Sequence, residues 1–258
     1  VKPAAQAVDE IRTLLRGRPG FLVGSAVAGE VYDKPYNDVD VFVPSVVSLA
    51  STVQFLLDDG ASLDLQAERT WNRWDLIGTG DWNTNSIKLE TLHGTEVNVV
   101  YKVVNKAPLT TLHTVLGSFD FGYVAMGYDL RLGTWHDGRE FWFGRGCDMD
   151  RLGMLPEREM QWLNGSLGTF TGVRQAERYA KFANRGYDMS RSAPVLVQGY
   201  RITAAHYQLS DDPEKLEYAG IYLSIADLIE TGDVDGLLYA YQHLRKHDPV
   251  GSLKAALP

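Results

Sequence analysis

The spacing of apolar residues divides the chain into two stretches of different rhythm. Up to residue 150, short apolar runs alternate with helix-like segments. Beyond it, apolar residues recur three and four apart almost throughout. Ala7, Ile11, Leu14 and Leu15 form a stripe that predicts a helix over residues 4–16, ended by the turn chemistry of Arg16-Gly17-Arg18-Pro19-Gly20. Phe21-Leu22-Val23 predicts a short buried strand, broken by Gly24-Ser25, and residues 26–31 suit a helical turn. Residues 33–37 read as a loop. Asp38-Val39-Asp40-Val41-Phe42-Val43 alternates acidic and apolar residues and then turns fully apolar, as a core strand does. Pro44 and Ser45 stop it, and Ser45 suits the N-cap of a helix through Leu57.

Further on, residues 86–92 and 95–104 predict two strands around a turn at His93-Gly94. A helix is expected over 108–117, started by Pro108. Residues 122–130 and 140–143 read as strands, with a loop around Trp135-His136-Asp137-Gly138. Residues 158–163, 173–185, 194–209, 213–230 and 234–247 read as helices. The expected fold is α+β: a mixed or antiparallel sheet with flanking helices over residues 1–150, then a mostly helical region over 151–258.

The candidate chemistry sits early. Gly24 lets backbone approach a phosphate, Ser25 offers a hydroxyl and an N–H, and a helix starting there adds unpaired N–H groups that attract anions. Asp38 and Asp40 are two apart on a strand, so both point to one face. Two carboxylates on one face repel, and a divalent cation relieves this. Mg²⁺ or Mn²⁺ binds carboxylate oxygens together with substrate phosphates. Such ions polarise an α-phosphate and neutralise a leaving pyrophosphate.

Phe21-Leu22-Val23-Gly24-Ser25 followed by Asn37-Asp38-Val39-Asp40-Val41-Phe42 resembles the signature of the DNA polymerase beta-like nucleotidyltransferase superfamily. Its members include tRNA CCA-adding enzymes, antibiotic and toxin nucleotidyltransferases and cyclic-dinucleotide synthases. The context looks closest to the CCA-adding-like branch and its small phage and bacterial relatives, and the resemblance covers roughly residues 20–105. It implies metal-dependent transfer of a nucleoside monophosphate from an NTP to an acceptor hydroxyl, with Asp38 and Asp40 as metal ligands. It also implies a third carboxylate on a later strand, as ligand and base. Glu96 is favoured for it. Asn98, on the same face, is the alternative that would lack a base, and Glu90 is a third option. CCA-adding enzymes follow their glycines with a basic-acidic pair, whereas this chain has Ala28-Gly29-Glu30. The acceptor implied is a tRNA or other RNA 3′ end, with protein and small-molecule acceptors left open. A degenerate, non-catalytic binder of the same fold is the competing expectation.

Composition adjusts this picture. The chain has 258 residues with 45% hydrophobic and 22% charged, the balance of a globular protein. Its formal net charge is −8, which argues against a large nucleic-acid footprint while leaving room for a local basic patch. Arg174, Arg178, Lys181 and Arg185 recur at helical spacing and offer such a patch, with Arg178 and Lys181 as the candidate phosphate-binding pair. The segment from Arg178 to Tyr187 also resembles small phage and bacterial nucleotidyltransferases. A solvated helix face is the commoner outcome for such a stripe. Ser118-Phe119-Asp120-Phe121 reads as packing with a capping acid. His243 and His247 have metal-ligand spacing, but without a third ligand they suit the last turn of a helix. Trp71, Trp74 and Trp82 mark either a binding loop or core anchors. The lone Cys147 excludes an internal disulfide and fits a buried thiol. No apolar run is long enough to span a bilayer, and the N-terminus, which begins with Val1 rather than Met, has no apolar signal core. A cytoplasmic location is expected.

Overall fold

The structure, a computed structural model, describes residues 2–63, 82–104, 106–164 and 169–247. It separates into two compact units, Val1–Gly146 and Cys147–Pro258.

The first unit begins with α1 (Ala4–Leu14), β1 (Phe21–Val23), α2 (Ser25–Tyr32), β2 (Val39–Phe42) and α3 (Val46–Asp58), in the order that the apolar pattern predicts. Ser45 caps α3, its hydroxyl accepting from the Ser48 N–H at 3.0 Å. Then come β3 (Ser62–Leu63), β4 (Trp82–Glu90), β5 (Glu96–Val104), β6 (Ala107–Pro108), α4 (Leu112–Gly117), β7 (Met126–Asp129), β8 (Thr134–Asp137) and α5 (Arg139–Phe143). The described strands form one sheet in the order β3-β4-β5-β2-β1-β7-β8, with β6 on the far end of β5. β2 and β5 run parallel, and the other described pairings are antiparallel. The fold is therefore α+β with a mixed sheet and flanking helices.

Period-two alternation sorts the strand residues into two cores. Leu22, Val39, Val41, Val97 and Val99 face one side, under Val8 and Ile11 of α1, Val27 of α2 and Leu49 and Leu56 of α3. Phe21, Val23, Phe42 and Val100 face the other, under Leu112, Val115 and Leu116 of α4. The first side is covered by three helices and the second by one short helix. Asp40 and Asn98 alternate onto this thinly covered side.

Four expectations change. Of residues 122–130, foreseen as one strand, Gly122–Val124 form a 3-10 turn ahead of β7. The helix foreseen from Pro108 starts at Leu112, because Thr111 and Thr114 form a reciprocal capping box. Pro108 instead lies in the edge strand β6, where its missing N–H disturbs little. The loop foreseen around Trp135 is largely β8, paired to β7 from Met126↔Asp137 to Asp129↔Thr134. Residues 140–143, foreseen as a strand, belong to the helix α5. An apolar run that short has no period that separates helix from strand.

Glu10 ties α1 to the β4–β5 turn. Its carboxylate accepts from Lys2 Nζ at 2.6 Å, Thr91 Oγ1 at 2.6 Å and Thr95 Oγ1 at 2.7 Å. Burial pushes the Glu10 pKa up, and the bonds from Lys2, Thr91 and Thr95 together with the Lys2 charge outweigh it, so the net shift is downward. A depressed folded-state pKa means stabilisation that is present above the ordinary carboxylate range and lost as pH falls through the folded value.

The second unit holds α6 (Pro156–Leu163), α7 (Thr169–Asn184), α8 (Ser192–Gln208), α9 (Pro213–Thr231) and α10 (Val234–His247). α9 shows why these helices start and stop where they do. Asp212 accepts from the Glu214 N–H at 3.0 Å, Pro213 takes the first helical position, and Gly232 closes the helix at φ 71°. Trp162 anchors the core. Its indole N–H donates to the Leu196 carbonyl at 3.1 Å, and its ring meets Tyr200 edge-on at 5.0 Å. A Cβ on Gly199 would fall 2.1 Å from the Trp162 ring, so this helix position must stay bare. Cys147 is half-buried. Trp71 and Trp74 lie outside the described residues, as do the His243 and His247 side chains. Trp82 begins β4. No helix among the described residues is long and apolar enough to cross a membrane.

Glu10→Gln is expected to lower stability by about 1–3 kcal/mol at neutral pH, the scale of hydrogen bonds to a charged group. The gap from the parent protein should close as pH falls below the carboxylate range. Urea midpoints for both proteins across acid pH check this.

Candidate active site

The site starts from a steric demand. Gly24 ends β1 at φ 83° and ψ −155°, a region that residues with a Cβ avoid. A Cβ placed on Gly24 would lie 2.5 Å from Asp40 Oδ2. β1 pairs with β2 so that Val23 stands opposite Asp40, which carries the next residue against the carboxylate. Gly24 is also the N-cap of α2, and as glycine it offers the first-turn N–H groups no side-chain acceptor. Ser25 is the first residue of that helix. The positive end of α2 and the Asp40 carboxylate therefore meet at one place.

Three strands bring polar side chains into a row. Asp40 on β2 is the register partner of Asn98 on β5, and Asn98 is the register partner of Lys88 on β4. Asn98 Nδ2 donates to Asp40 Oδ1 at 2.9 Å. Lys88 Nζ lies 2.9 Å from Oδ2 of Asp38, just ahead of β2, with the two side chains 33% and 15% exposed. Burial pushes the Lys88 pKa down. The bond to Asp38 and the charges of Asp38, Glu96 and Asp40 more than reverse this, so the net shift is upward and the ammonium form is favoured. Asn98 Oδ1 is buried and has no hydrogen-bond partner among the described residues.

Gly24 thus lies against Asp40, Ser25 follows it at the start of α2, and Asp38 meets Lys88. Glu96 stands one register step out. It is exposed at the start of β5, opposite Glu90, and about 7 Å along the strand from Asn98. The residue beside Asp40 is Asn98. Among the described residues no three His, Cys, Asp or Glu side chains gather into a metal-ligand group. The two carboxylates are hard oxygen donors of the kind a divalent cation takes, while the Asn98 amide turns its Nδ2, not its oxygen, to Asp40.

Arg178 and Lys181 lie on α7 of the second unit, Arg178 exposed and Lys181 half-buried. Arg185, at the end of the same stripe, is 8% exposed, so the stripe is not a solvated face along its whole length. Ser118 and Phe121 are buried, and Phe119 meets Phe42 edge-on at 5.9 Å, which is packing. Sequence reasoning missed Lys88. The signal was there: a hairpin turning at His93-Gly94 places residue 88 opposite residue 98.

No protein-family model matches the sequence, and no curated protein matches it. Solved structures do match at a distance. The Thermotoga maritima CCA-adding enzyme complexed with tRNA-CCA aligns with TM-score 0.46 and 13% identity, over 87% of this chain and 52% of that one. A CCA-adding enzyme in apo form II gives 0.44 and 12%, over 88% and 57%. A tRNA nucleotidyltransferase complexed with a primer tRNA and an incoming ATP analog gives 0.42 and 16%, over 87% and 61%. The chain spans between half and two thirds of the length of these proteins. At such similarity the chemistry of the site has to rest on its own residues.

Gly24→Ala should cost about 1–3 kcal/mol from backbone strain alone, with a further loss from displacing Asp40. Chemical denaturation measures the total, and an unchanged midpoint would contradict the close approach.

Proposed function

We propose that the first unit is a metal-dependent nucleotidyltransferase that moves a nucleoside monophosphate from an NTP to an acceptor hydroxyl and releases pyrophosphate. The observation that carries this reading is the contact of Gly24 with Asp40, which sets the N-terminus of α2 against the Asp40 carboxylate, two residues from Asp38. One half of that arrangement suits a triphosphate and the other suits its cations. The resemblance of residues 21–25 and 37–42 to the nucleotidyltransferase signature supports the same reading.

In this mechanism the first turn of α2 and Ser25 hold phosphate oxygens. Asp38 and Asp40 would hold Mg²⁺ or Mn²⁺, which when bound polarises the α-phosphate and screens the leaving pyrophosphate. Asp40 is kept in place from two sides, by Asn98 and by the bare backbone of Gly24. Asn98 cannot accept a proton near neutral pH. Glu96, which shares this face with its register partner Glu90, is proposed to take the proton of the acceptor hydroxyl. Arg178 and Lys181 are proposed as a further phosphate or acceptor-strand contact. The acceptor proposed is an RNA 3′ end, and with a net charge of −8 the RNA footprint is small, so its affinity should fall only shallowly with salt.

A second reading has a specific observation behind it. Asn98 stands beside Asp40 and Lys88 neutralises Asp38, as in a protein that keeps the fold and binds nucleotide or a partner without turnover.

Incubation with each α-³²P-labelled NTP, Mg²⁺ or Mn²⁺ and total tRNA separates the two readings. Transfer predicts label on RNA or protein. Asp40→Asn should reduce it by more than the ~10–100-fold typical of a residue that merely supports a metal ligand, with little change in melting temperature. Absence of label alongside a metal-dependent rise in melting temperature with NTP would favour the binder.

A further inference from the structure

The row Lys88–Asn98–Asp40 bears on how many divalent cations the site can hold. Asp38 has its Oδ2 in contact with an ammonium at 2.9 Å. Asp40 has Oδ1 engaged by the Asn98 amide, and the strand position next to it carries an amide where a third carboxylate would supply another negative charge. The carboxylates Asp38 and Asp40 with the ammonium Lys88 sum to a single negative charge, to which Glu96, whose charge also acts on Lys88, adds one more. A second divalent cation on Asp38 would lie close to the Lys88 ammonium already held there at 2.9 Å, where like charges repel strongly in a partly buried place. One cation on the Asp40 side would keep clear of the Lys88–Asp38 contact.

Resting on the nucleotidyl-transfer reading, we propose that Lys88 is a built-in cation: its ammonium on Asp38 takes the place of a second divalent ion, so that the nucleotide-bound protein holds one divalent cation. Lys88 is then part of the binding machinery. Its place is set by the register of β4 on β5, which puts it directly opposite Asn98. The positive charge it supplies is fixed to the chain and does not depend on metal concentration.

The test is to count Mn²⁺ by the loss of the free-ion electron paramagnetic resonance signal. The full chain is titrated in the presence of the α,β-methylene analogue of each of the four NTPs. One Mn²⁺ per nucleotide-bound chain is expected for the parent protein and for Lys88→Arg, which keeps the charge. Two are expected for Lys88→Met, which leaves Asp38 without its counter-ion. Two in the parent protein would overturn the inference and leave the nucleotidyl-transfer reading standing. So would one in a Lys88→Met protein that melts like the parent. If Lys88→Met does not fold, the counts for the parent and Lys88→Arg decide, and two in either contradicts the proposal. If the parent protein binds neither Mn²⁺ nor any analogue, the nucleotidyl-transfer reading fails, and this inference falls with it.

Discussion

The close approach of Gly24 to Asp40 is the constraint on which the rest of the site depends. β1 must end in a residue without a Cβ, because the Asp40 carboxylate occupies the space a Cβ would take. The same residue must turn the chain at positive φ so that α2 can begin. One glycine therefore sets the length of β1, the start of α2 and the position of the carboxylate. Asn98 then holds that carboxylate from the opposite side.

The unequal covering of the sheet explains why function falls where it does. Three of the described helices bury one face under the larger cluster of apolar side chains. The other face carries the shorter α4 over Phe21, Val23, Phe42 and Val100. Polar residues that alternate onto this face, Asp40, Asn98 and Lys88, can stay partly hydrated and reachable by a ligand. On the first face the same residues would be buried without solvent, at a heavy cost.

Much of this was legible in the sequence. Phe21–Val23, the Gly24-Ser25 break and the Asp38/Asp40 alternation are local patterns, and local patterns survive folding. The choice between Glu96 and Asn98 was not local. It depends on the parallel register of β2 on β5, set by Val39 and Val41 packing with Val97 and Val99 far along the chain. Lys88 was readable in principle from the hairpin, which sets it opposite Asn98, but no local pattern marks it. β8 escaped because all four of its residues are exposed and show no alternation. The basic stripe of α7 looked uniform by spacing, yet Arg185 turned out buried, because neighbouring packing and not periodicity decides which end of a helix meets solvent.

The central claim is that this corner of the sheet binds a metal–triphosphate through Asp40. Calorimetric titration with Mg²⁺ and a non-hydrolysable NTP tests it most directly, comparing the parent protein with Asp40→Asn. The account predicts saturable binding that needs the metal and is lost in the variant while its fold persists. Equal binding by both proteins, or binding indifferent to the metal, would contradict it.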